Sequence, residues 1–499
     1  MANQQLRIVV IGAGMAGILA GIKLREAGVD DFVIYEKADR VGGTWRENTY
    51  PGLTCDTPSH HYTYTFERNP GWSSFLPPGP EIQAYFEDTC RKYGVEDSIR
   101  FNEEIESAEY RDGRWHLQLK SGAQDVADAV IAATGVLHHP SLPDIEGMDS
   151  FRGALFHSSR WDHSIPLAGK RIGVIGTGST GVQIISALAG TAALIEHYVR
   201  TPQWIMPVEN TPYSEAQRRA FRQDPAALEE AMKTEEYLAS VNSYTQVITR
   251  ENMAAAQFWK DTCLQNLEAS VADPELRERL RPDHEPLCKR LIFSPDYYQA
   301  IQHPQAALVS ESIERIEPEG IRTRDGQLHE LDIIVLATGF KPDQFMRPMQ
   351  ITGTNGVTLE SLWAQRPKAY LAISMPDFPN FFMLNGPNGP VGNFPLIDIA
   401  EHQWHYIDQL LQKLRTAQCS GICASAGALA RFEERRIEAA KKTVWFVGGC
   451  KSWYLDAEGI PSSWPWDYEC FVSEMREPHW SDYELMPAPQ REQAAHSAT

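Results

Sequence analysis

Apolar runs and glycine turns recur along the chain in two blocks of the same pattern. The first block, LRIVVIGAGMAGILAGIKLREAG from residue 6, has an apolar run, a glycine turn and a helix-like stretch, followed by the apolar segment DFVIYEK. The pattern returns as KRIGVIGTGSTGVQIISALAG from residue 170, followed by LIEHYVR. An apolar strand, a helix and a second apolar strand form a βαβ unit, so each block predicts a parallel sheet.

The pattern changes between about residues 210 and 285. The stretches SEAQRRAFRQDPAALEEAMKTEEYLASV and AAAQFWKDTCLQNLEASVADPELRERL are polar and rich in helix-forming residues. We predict a helical insertion here, after which α/β character resumes with ALVSESIERIEPEGI and LDIIVLATGF. The last third has turn-rich segments around one long predicted helix, IDIAEHQWHYIDQLLQKLR, and a tail that we expect to fray after about Pro487.

Each block carries a GxGxxG motif at its strand–helix turn. In the first block, Gly12, Gly14 and Gly17 let the backbone turn tightly and approach a pyrophosphate at the helix N-terminus, where free N–H groups favour anions. Glu36 closes the next strand, 24 residues after Gly12. A carboxylate there accepts hydrogen bonds from both ribose hydroxyls and suits an adenosine without a 2′-phosphate. We therefore predict that the first fold binds FAD.

The second motif comprises Gly176, Gly178 and Gly181, and the same spacing of 24 residues from Gly176 leads to Arg200. An acidic residue there would repel a 2′-phosphate, whereas an arginine attracts it through charge-assisted hydrogen bonds. Thr201 can add a hydroxyl contact. We therefore predict that the second fold binds NADPH.

These observations predict an α/β protein with two Rossmann-like dinucleotide-binding domains, for FAD and NADPH, and a helical insertion in the second. The expected boundaries are 1–150 for the first part of the FAD domain and 151–164 for a linker. The NADPH domain follows over 165–335, with the insertion at about 210–285. The second part of the FAD domain, with substrate-pocket and lid segments, is expected over 336–499.

Charge and hydropathy narrow the possible partners. The formal net charge is -20 over 499 residues, so we expect no general affinity for nucleic acid or anionic lipid. No apolar run reaches the roughly 20 residues needed to cross a bilayer. The first residues, MANQQLRIVVIG, lead straight into a predicted strand without a signal-type core, which favours a cytoplasmic protein.

The cysteines argue against a metal site or a local dithiol centre. None of them forms a CxxC pair, and we interpret all of them as reduced structural thiols. No metal is expected. The eight cysteines occupy positions 55, 90, 263, 288, 419, 423, 450 and 470.

Two further patterns accompany the glycine motifs. The GGTW segment, with Gly43, Thr44 and Trp45, resembles the GG doublet of two-dinucleotide flavoproteins, where backbone lies along the flavin. ATG tripeptides at 133–135 and 337–339 each end an apolar strand. In such flavoproteins these tripeptides mark crossings between the two domains.

The segment FRGALFHSSRWD, between the two glycine motifs, resembles the FxGxxxHxxxW[PD] fingerprint of Baeyer–Villiger monooxygenases. The matching positions are Phe151, Gly153, His157, Trp161 and Asp162. The resemblance extends to the SWY segment near residue 453. It implies an NADPH- and oxygen-dependent flavin enzyme that converts ketones to esters or lactones through a C4a-peroxyflavin. Its partners would then be a small ketone and molecular oxygen.

The uneven spacing of the fingerprint suggests a linker rather than a helix or strand. We expect Phe151 and Trp161 to anchor its ends in two domains, and Gly153 to permit a turn. His157 is expected to hydrogen-bond across the linker and not to donate a proton to the substrate, because in the family this segment connects domain movement to catalysis.

The resemblance also indicates an active-site cation. Arg290, in CKRLIFSPDYY, matches the arginine of the family's KR segment, and Lys289 matches the lysine near the NADP 2′-phosphate. An arginine suits a negatively charged oxidant because it donates hydrogen bonds and cannot supply the proton that would quench the charge. Asp56, in YPGLTCDTPS, matches the family's aspartate and is expected to hold Arg290.

Four further residues are candidate cofactor contacts. Ser179 opens the second helix, and Gln183 is expected near the pyrophosphate. Trp453 resembles a family tryptophan near the nicotinamide ribose. Asn388 lies before the long helix, whose N-terminus is expected to face the electron-rich end of the flavin. Residues 385–396 and 450–467, with Trp464 and Trp466 as lid or packing aromatics, are expected to shape the ketone pocket and a mobile lid.

Two alternatives remain open from the sequence. An N- or S-oxygenating flavin monooxygenase would use the same cofactors, although a paired Asp56 and Arg290 argues against it. A non-catalytic FAD- and NADPH-binding redox module would share the folds. A pyridine nucleotide–disulfide reductase is disfavoured because its CxxC motif is missing.

Overall fold

The computed structural model describes residues 5–488, so most of the predicted frayed tail lies outside the described residues. The first sheet is parallel and contains both strands of the first βαβ unit. Its edge strand comes from the last third of the chain. In spatial order the strands are Phe381–Met383, Ala129–Ala132, Ile8–Ile11, Phe32–Glu36 and Ile99–Phe101.

The second sheet is also parallel and contains the second βαβ unit. Residues on its strands alternate between two apolar clusters, so both faces are covered, as is usual for a parallel sheet between helices. The strands in spatial order are Ala306–Val309, Leu194–Tyr198, Arg171–Ile175, Ile333–Leu336 and Ala154–His157. Together the two sheets confirm the predicted α/β class.

Smaller sheets flank these two. One has four strands, Gln350–Thr352, Ile105–Arg111, Arg114–Leu119 and Gln124–Ala127. Another has three, Ile313–Glu317, Gly320–Thr323 and Leu328–Glu330. Two pairs complete the set, Ile205–Met206 with Ile292–Phe293 and Gly421–Ala424 with Tyr483–Met486.

The helical insertion is present in the second fold, and capping residues set its helix boundaries. Ser214 and Gln217 form a reciprocal capping box, and Asp224, Asn252 and Asp273 each accept a backbone N–H at a helix start. The insertion helices are Glu215–Gln223, Pro225–Met232, Thr234–Ile248, Met253–Ser270 and Pro274–Arg279.

The other α-helices include the two that follow the glycine turns and the long helix predicted in the last third. They are Met15–Glu26, Thr44–Glu47, Gly79–Lys92, Ser179–Leu188, Tyr297–Ile301, Leu359–Leu362, Leu396–Arg415, Ala426–Ala440, Val444–Val447 and Tyr468–Glu474. Short 3₁₀ turns lie at Ser59–His61, Glu96–Ser98, Met148–Ser150, Ser158–Arg160, Thr354–Gly356 and Trp480–Asp482. Among residues 5–488, no helix combines the length and apolar character needed to cross a membrane.

The fingerprint segment differs from the predicted linker. Residues Ala154–His157 form an edge strand that pairs with Ile333–Leu336 of the second sheet. Phe151 and Trp161 pack on opposite faces of this same sheet, and the apolar cluster of Trp161 also contains Tyr50 from the first part of the chain. Gly153 is constrained by space: a β-carbon there would lie 2.4 Å from the Asp332 carbonyl oxygen. The irregular spacing predicted a linker, but backbone pairing with the distant strand Ile333–Leu336 makes residues 154–157 a strand.

The interpretation of all cysteines as reduced thiols is also wrong. Cys288 and Cys450 form a disulfide across 162 residues of sequence, with Cα atoms 6.1 Å apart. The pairing is non-local, so spacing along the chain gives no indication of it. The free cysteines are Cys55, Cys90, Cys263, Cys419, Cys423 and Cys470.

Candidate active site

One cavity of about 600 Å³ receives both glycine turns. Its wall includes Gly12, Gly14 and Trp45 from the first fold, and Gly178 and Ser179 from the second. Parallel strands of both sheets end here, at the edge where α/β proteins bind nucleotides. The cavity therefore joins the two predicted cofactor sites in one continuous space.

The first glycine turn lies directly against the end of a neighbouring strand. Gly12 has φ +99°, and a β-carbon there would lie 2.7 Å from the Ala133 carbonyl oxygen of the first ATG tripeptide. At Gly17 a β-carbon would lie 1.8 Å from the Gly12 carbonyl oxygen. A β-carbon at Gly14 would lie 3.5 Å from the Gly43 Cα. The two glycines therefore leave a backbone surface that a pyrophosphate can approach.

Glu36 closes this site from the second strand. The side chain is buried, and its two oxygens accept the N–H groups of Ala13 (2.7 Å) and Ala38 (2.8 Å). Each carboxylate oxygen has a further lone pair, and Glu36 lines the cavity. The carboxylate is thus held by the backbone and remains able to accept ribose hydroxyls.

The GGTW segment lies opposite the first turn. Thr44 and Trp45 line the cavity, and the Trp45 indole donates to the Tyr62 hydroxyl at 3.0 Å. Gly43 adopts φ +54°, with its β-carbon position 3.1 Å from the Gly14 Cα. The two glycines approach closely enough that backbone forms this wall, as the sequence pattern predicts.

The second turn repeats the geometry of the first. A β-carbon at Gly176 would lie 2.1 Å from the carbonyl oxygen of Ala337, in the second ATG tripeptide. At Gly181 it would lie 2.1 Å from the Gly176 carbonyl oxygen. Gly178 meets nothing within 4 Å. The open position thus coincides with the helix N-terminus at Ser179, where backbone N–H groups favour a phosphate.

Two cations lie together beyond this turn. Arg200 is exposed, and Lys289 is partly buried. Burial, together with the nearby charge of Arg200, lowers the pKa of Lys289 below its ordinary value. Two neighbouring cations of this kind can attract an anion such as a phosphate. Thr201 follows Arg200 directly and is half-buried.

Arg290 and Asp56 meet on the cavity wall. The arginine Nε and Nη2 donate to one Asp56 oxygen at 3.0 and 2.8 Å, and Nη1 donates to the Gly392 carbonyl oxygen at 2.6 Å. Burial opposes the charge on Arg290, but the attraction of Asp56 outweighs it and raises the arginine pKa well above its ordinary value. The cation is therefore permanent and fixed from two sides.

Two tyrosines that the sequence did not indicate complete this site. Tyr244 and Tyr454 are both buried and lie near enough to Arg290 that its charge opposes the rise that burial causes in the pKa of each hydroxyl. Tyr454 also lies against Gly392, where a β-carbon would be 2.3 Å from its hydroxyl. Tyr454 directly follows Trp453, a predicted cofactor contact, and this position is the one sequence signal that could have suggested it. Tyr244 lies on a helix of the insertion, far along the chain from Arg290.

Gln183, which was expected near the pyrophosphate, connects the two folds through its side-chain hydrogen bonds. Its amide donates to the carbonyl and hydroxyl oxygens of Thr54, both at 3.0 Å, and its oxygen accepts the Tyr50 hydroxyl at 2.9 Å. Tyr50 and Thr54 belong to the segment that carries Asp56. The second fold thereby holds the active-site carboxylate segment in register.

The lid candidates divide into cavity-lining and packing residues. Trp453 lines the cavity and is 37% exposed. Trp464 is fully buried in the main core, so it is a packing residue. Asn388 is not among the lining residues of the described chain; its side chain accepts from Ala369 N at 3.2 Å and donates to Ser462 O at 3.1 Å. Asn388 was predicted to contact a cofactor, but its side chain connects two loops, and Asn385 lines the cavity instead.

His157 holds a crossing between the folds. Its Nε2 pairs with the Gly339 carbonyl oxygen at 3.0 Å and its Nδ1 with the Ser159 hydroxyl at 2.9 Å. The two crossings also pair with each other, because Ser141 N donates to Gly339 O and Lys341 N donates to His139 O, each at 2.8 Å. Asp162 is exposed and accepts from Ser164 in a local turn.

Two parallel sheets whose glycine turns share one cavity define a flavoprotein with two dinucleotide-binding folds. Residues 9–262 match the family model for pyridine nucleotide-disulphide oxidoreductases. The chain is 44% identical over 478 residues to an uncharacterized monooxygenase from Mycobacterium tuberculosis, covering 96% of each protein. It is 34% identical over 492 residues to a Baeyer-Villiger monooxygenase from Streptomyces coelicolor, covering 98% of this chain and 94% of that protein.

A solved structure agrees over the whole fold. Cyclohexanone monooxygenase from Rhodococcus, bound to NADP⁺, superposes with a TM-score of 0.85 and 29% identity, covering 97% of this chain and 99% of the other. The chain belongs to the Baeyer–Villiger monooxygenase family. The predicted family, enzyme class and cofactors, FAD and NADPH, are confirmed. Baeyer–Villiger oxidation is favoured over N- or S-oxygenation and over a non-catalytic role.

Proposed function

We propose that the chain oxidises apolar ketones to esters or lactones at the cavity wall formed by Arg290 and Asp56. The observation that supports this most directly is the contact of that pair inside the space reached by both glycine turns. Bound FAD, reduced by NADPH, supplies the electrons that activate molecular oxygen for insertion beside the carbonyl. The residues of the chain bind, orient and stabilise charge around that reaction.

Arg290 is the residue proposed to stabilise developing negative charge. Its N–H groups carry a positive charge that cannot be lost as a proton at ordinary pH. Donors fixed before the reaction stabilise a transition state because they do not need to reorganise. Asp56 and the Gly392 carbonyl fix the guanidinium, so we assign Asp56 a positioning role.

The two folds are proposed to hold one cofactor each. Residues 1–150 and 336–499, which share the first sheet, would bind FAD through the first glycine turn, the GGTW segment and Glu36. Residues 165–335 would bind NADPH through the second glycine turn. Lys289 and Arg200 together would receive the 2′-phosphate.

The ketone is proposed to bind beside Arg290. Apolar side chains line the cavity on this side, among them Phe293, Phe394 and Leu396. An apolar wall with one fixed cation favours a hydrophobic molecule with a single carbonyl group. Cyclic ketones are the class we propose first, because the structurally similar Rhodococcus enzyme is named for cyclohexanone.

A substrate panel tests this function. Cyclohexanone, a linear ketone, a steroid ketone, an amine and a sulfide are each incubated with NADPH and oxygen, and products are identified by mass. We expect ring-expanded lactone from cyclohexanone and little oxide from the amine. Efficient amine or sulfide oxidation without any ester would contradict the proposal.

The cytoplasm is the proposed location, because this compartment supplies NADPH to reductive enzymes. Measuring the enzyme's activity in cytoplasmic and membrane or periplasmic fractions of the source cell tests this. Activity recovered chiefly outside the cytoplasmic fraction would contradict it.

Glu36→Gln is expected to weaken FAD binding about 10- to 100-fold, since one lost charge-assisted hydrogen bond costs roughly 1.5–3 kcal/mol. Each Glu36 oxygen accepts a backbone N–H, so an amide must point its NH₂ group at one of these donors. Titration of the apoprotein with FAD, followed by flavin fluorescence, measures the change. Glu109→Gln, at an exposed strand position, is the control. Equal affinity in both variants would remove Glu36 from the FAD site.

Tyr454→Phe is expected to lower kcat for the ketone about tenfold, because the variant lacks the buried hydroxyl dipole that lies near the Arg290 charge. The ring remains stacked on Trp445 at 4.8 Å between centroids, so FAD content and the KM for NADPH should not change. Tyr110→Phe is the control, since that hydroxyl contacts only the Met486 sulfur among its side-chain partners. An unchanged kcat would show that Tyr454 does not position Arg290.

A further inference from the structure

The Cys288–Cys450 disulfide lies next to the active-site cation. One residue, Lys289, separates Cys288 from Arg290. Cys450 begins the stretch that leads to Trp453 and Tyr454. The bond therefore joins the backbone that carries the cation to the backbone that carries one wall of the cavity.

The stretch from Cys450 to Asp456, here called the Trp453 segment, is held at both ends. At its far end, Asp456 pairs with Arg366 at 2.8 Å, and both side chains are nearly buried. At its near end the covalent bond is the strongest attachment, supplemented by the Glu285 N–H, which donates to the Gly448 carbonyl at 3.2 Å. Without the disulfide, the near end would depend on noncovalent contacts, such as this hydrogen bond and the stacking of Tyr454 on Trp445.

The disulfide packs against residues that lie beside the active-site cation. Cys288 is completely buried, in an apolar cluster that also contains Tyr244 and Tyr454. A β-carbon at Gly448 would lie 2.8 Å from the Cys288 sulfur, so the backbones approach closely. Both tyrosines lie near enough to Arg290 for its charge to influence the pKa of their hydroxyls. A shift of the Trp453 segment would therefore move contacts of the cation.

We propose that Cys288–Cys450 is a redox-sensitive tether, a modification site at which a dithiol reductant releases the Trp453 segment and weakens ketone oxidation. The proposal rests on the function proposed for Arg290. When oxidised, the tether holds Trp453 and Tyr454 against the cavity. When reduced, the segment gains freedom, and the geometry that couples oxygen activation to the ketone becomes less well defined.

The exposure of the two sulfurs sets the order of the exchange. Cys450 is partly exposed and Cys288 is buried. An external thiolate attacks the Cys450 sulfur, the S–S bond breaks, and Cys288 leaves as a thiolate that takes up a proton. The second thiol of the reductant then attacks the mixed disulfide and releases Cys450. The protein gains two electrons and two protons, and the reductant ends as a disulfide.

Re-formation of the tether requires an oxidant such as hydrogen peroxide. Two thiols and one peroxide molecule give the disulfide and two water molecules. Within the described chain, neither cysteine is among the residues lining the cavity. We therefore assign the exchange to external thiols rather than to the flavin.

The first test counts thiols without using activity. Enzyme with bound FAD is purified without reductant, denatured, alkylated and weighed. We expect alkylation at the six free cysteines, and at all eight after prior treatment with dithiothreitol. Peptide mapping should recover a Cys288–Cys450 linked pair. Eight alkylated cysteines both before reductant and after hydrogen peroxide would overturn the tether.

The second test measures ester formed per NADPH consumed in oxidised and dithiothreitol-treated enzyme. We expect the ester formed per NADPH to fall on reduction, together with an about tenfold fall in kcat/KM for the ketone, as for a modest loss of positioning, and both to recover after peroxide treatment. Cys450→Ser should resemble reduced enzyme and no longer respond to dithiothreitol. Cys470→Ser, which removes a free cysteine in another cluster, should still respond.

The outcomes separate the tether from the proposed function. Equal coupling in oxidised and reduced enzyme, with the disulfide demonstrated by mass, would overturn the regulatory role. No ester from any ketone in either state would contradict the proposed function, whereas the thiol count would still report on the bond. If Cys450→Ser folds poorly, the reversible treatment of unmodified enzyme decides the question.

Discussion

Arg290→Ala is expected to lower ketone oxidation by about 10²–10³-fold, the usual loss when one donor that stabilises transition-state charge is removed. The protein should remain yellow, because the residues proposed for FAD binding lie on the first glycine turn and Glu36. NADPH should still be consumed, with reducing equivalents lost to hydrogen peroxide instead of ester. Product mass and peroxide release, measured side by side, check this.

A lysine at position 290 would keep the positive charge of Arg290 but not its planar arrangement of hydrogen-bond donors. The Arg290 fork donates to Asp56 and to the Gly392 carbonyl from different nitrogens, which one ammonium on a flexible stem does not reproduce. Arg290→Lys should therefore recover only part of the lost rate. Alanine also leaves the partly buried Asp56 without its partner, which is expected to destabilise the fold. The double variant Arg290→Ala/Asp56→Asn controls for this, since it should restore thermal stability but not ester formation.

If Arg290→Ala formed ester at the rate of the unmodified enzyme, the cation would not stabilise the reacting oxygen atoms. Ketone oxidation would then need another donor in the cavity.

Arg200→Ala is expected to reduce the preference for NADPH over NADH by about 10- to 100-fold, because hydrogen bonds to a charged group are worth roughly 1.5–3 kcal/mol. The change should be confined to the KM for NADPH, since NADH has no 2′-phosphate. Lys289 lies near enough to Arg200 for repulsion to contribute to its lowered pKa, so some preference should remain. Steady-state kinetics with both cofactors measure the ratio.

The dependence on ionic strength and a control variant at another exposed arginine test whether Arg200 binds the phosphate. Arg200 is exposed, so its attraction for the phosphate should weaken as ionic strength rises. The difference between the variant and the unmodified enzyme should then shrink. Arg152→Ala removes another exposed arginine, whose partner Glu319 lies 3.3 Å away, and should leave the ratio unchanged. An unchanged ratio in Arg200→Ala would place the 2′-phosphate elsewhere.

Local chemistry made the two folds predictable from the sequence. Apolar strands, glycine turns and the positions of Glu36 and Arg200 are set by short-range geometry and repeat along the chain. The same holds for the insertion helices, which begin at capping side chains such as Ser214 and Asp224. The contact of Asp56 with Arg290 was anticipated through family resemblance, because no local pattern joins residues so far apart.

The remaining features depended on long-range pairing. The fingerprint segment became a strand because the edge of the second sheet offered unpaired backbone groups to residues 154–157. Tyr244, Tyr454 and the Cys288–Cys450 bond surround Arg290 only after the insertion and the last third fold against it. The sequence by itself determined which local units form and which charges they carry. Only the tertiary structure decided which distant side chains meet, because burial and pairing depend on surfaces created by folding.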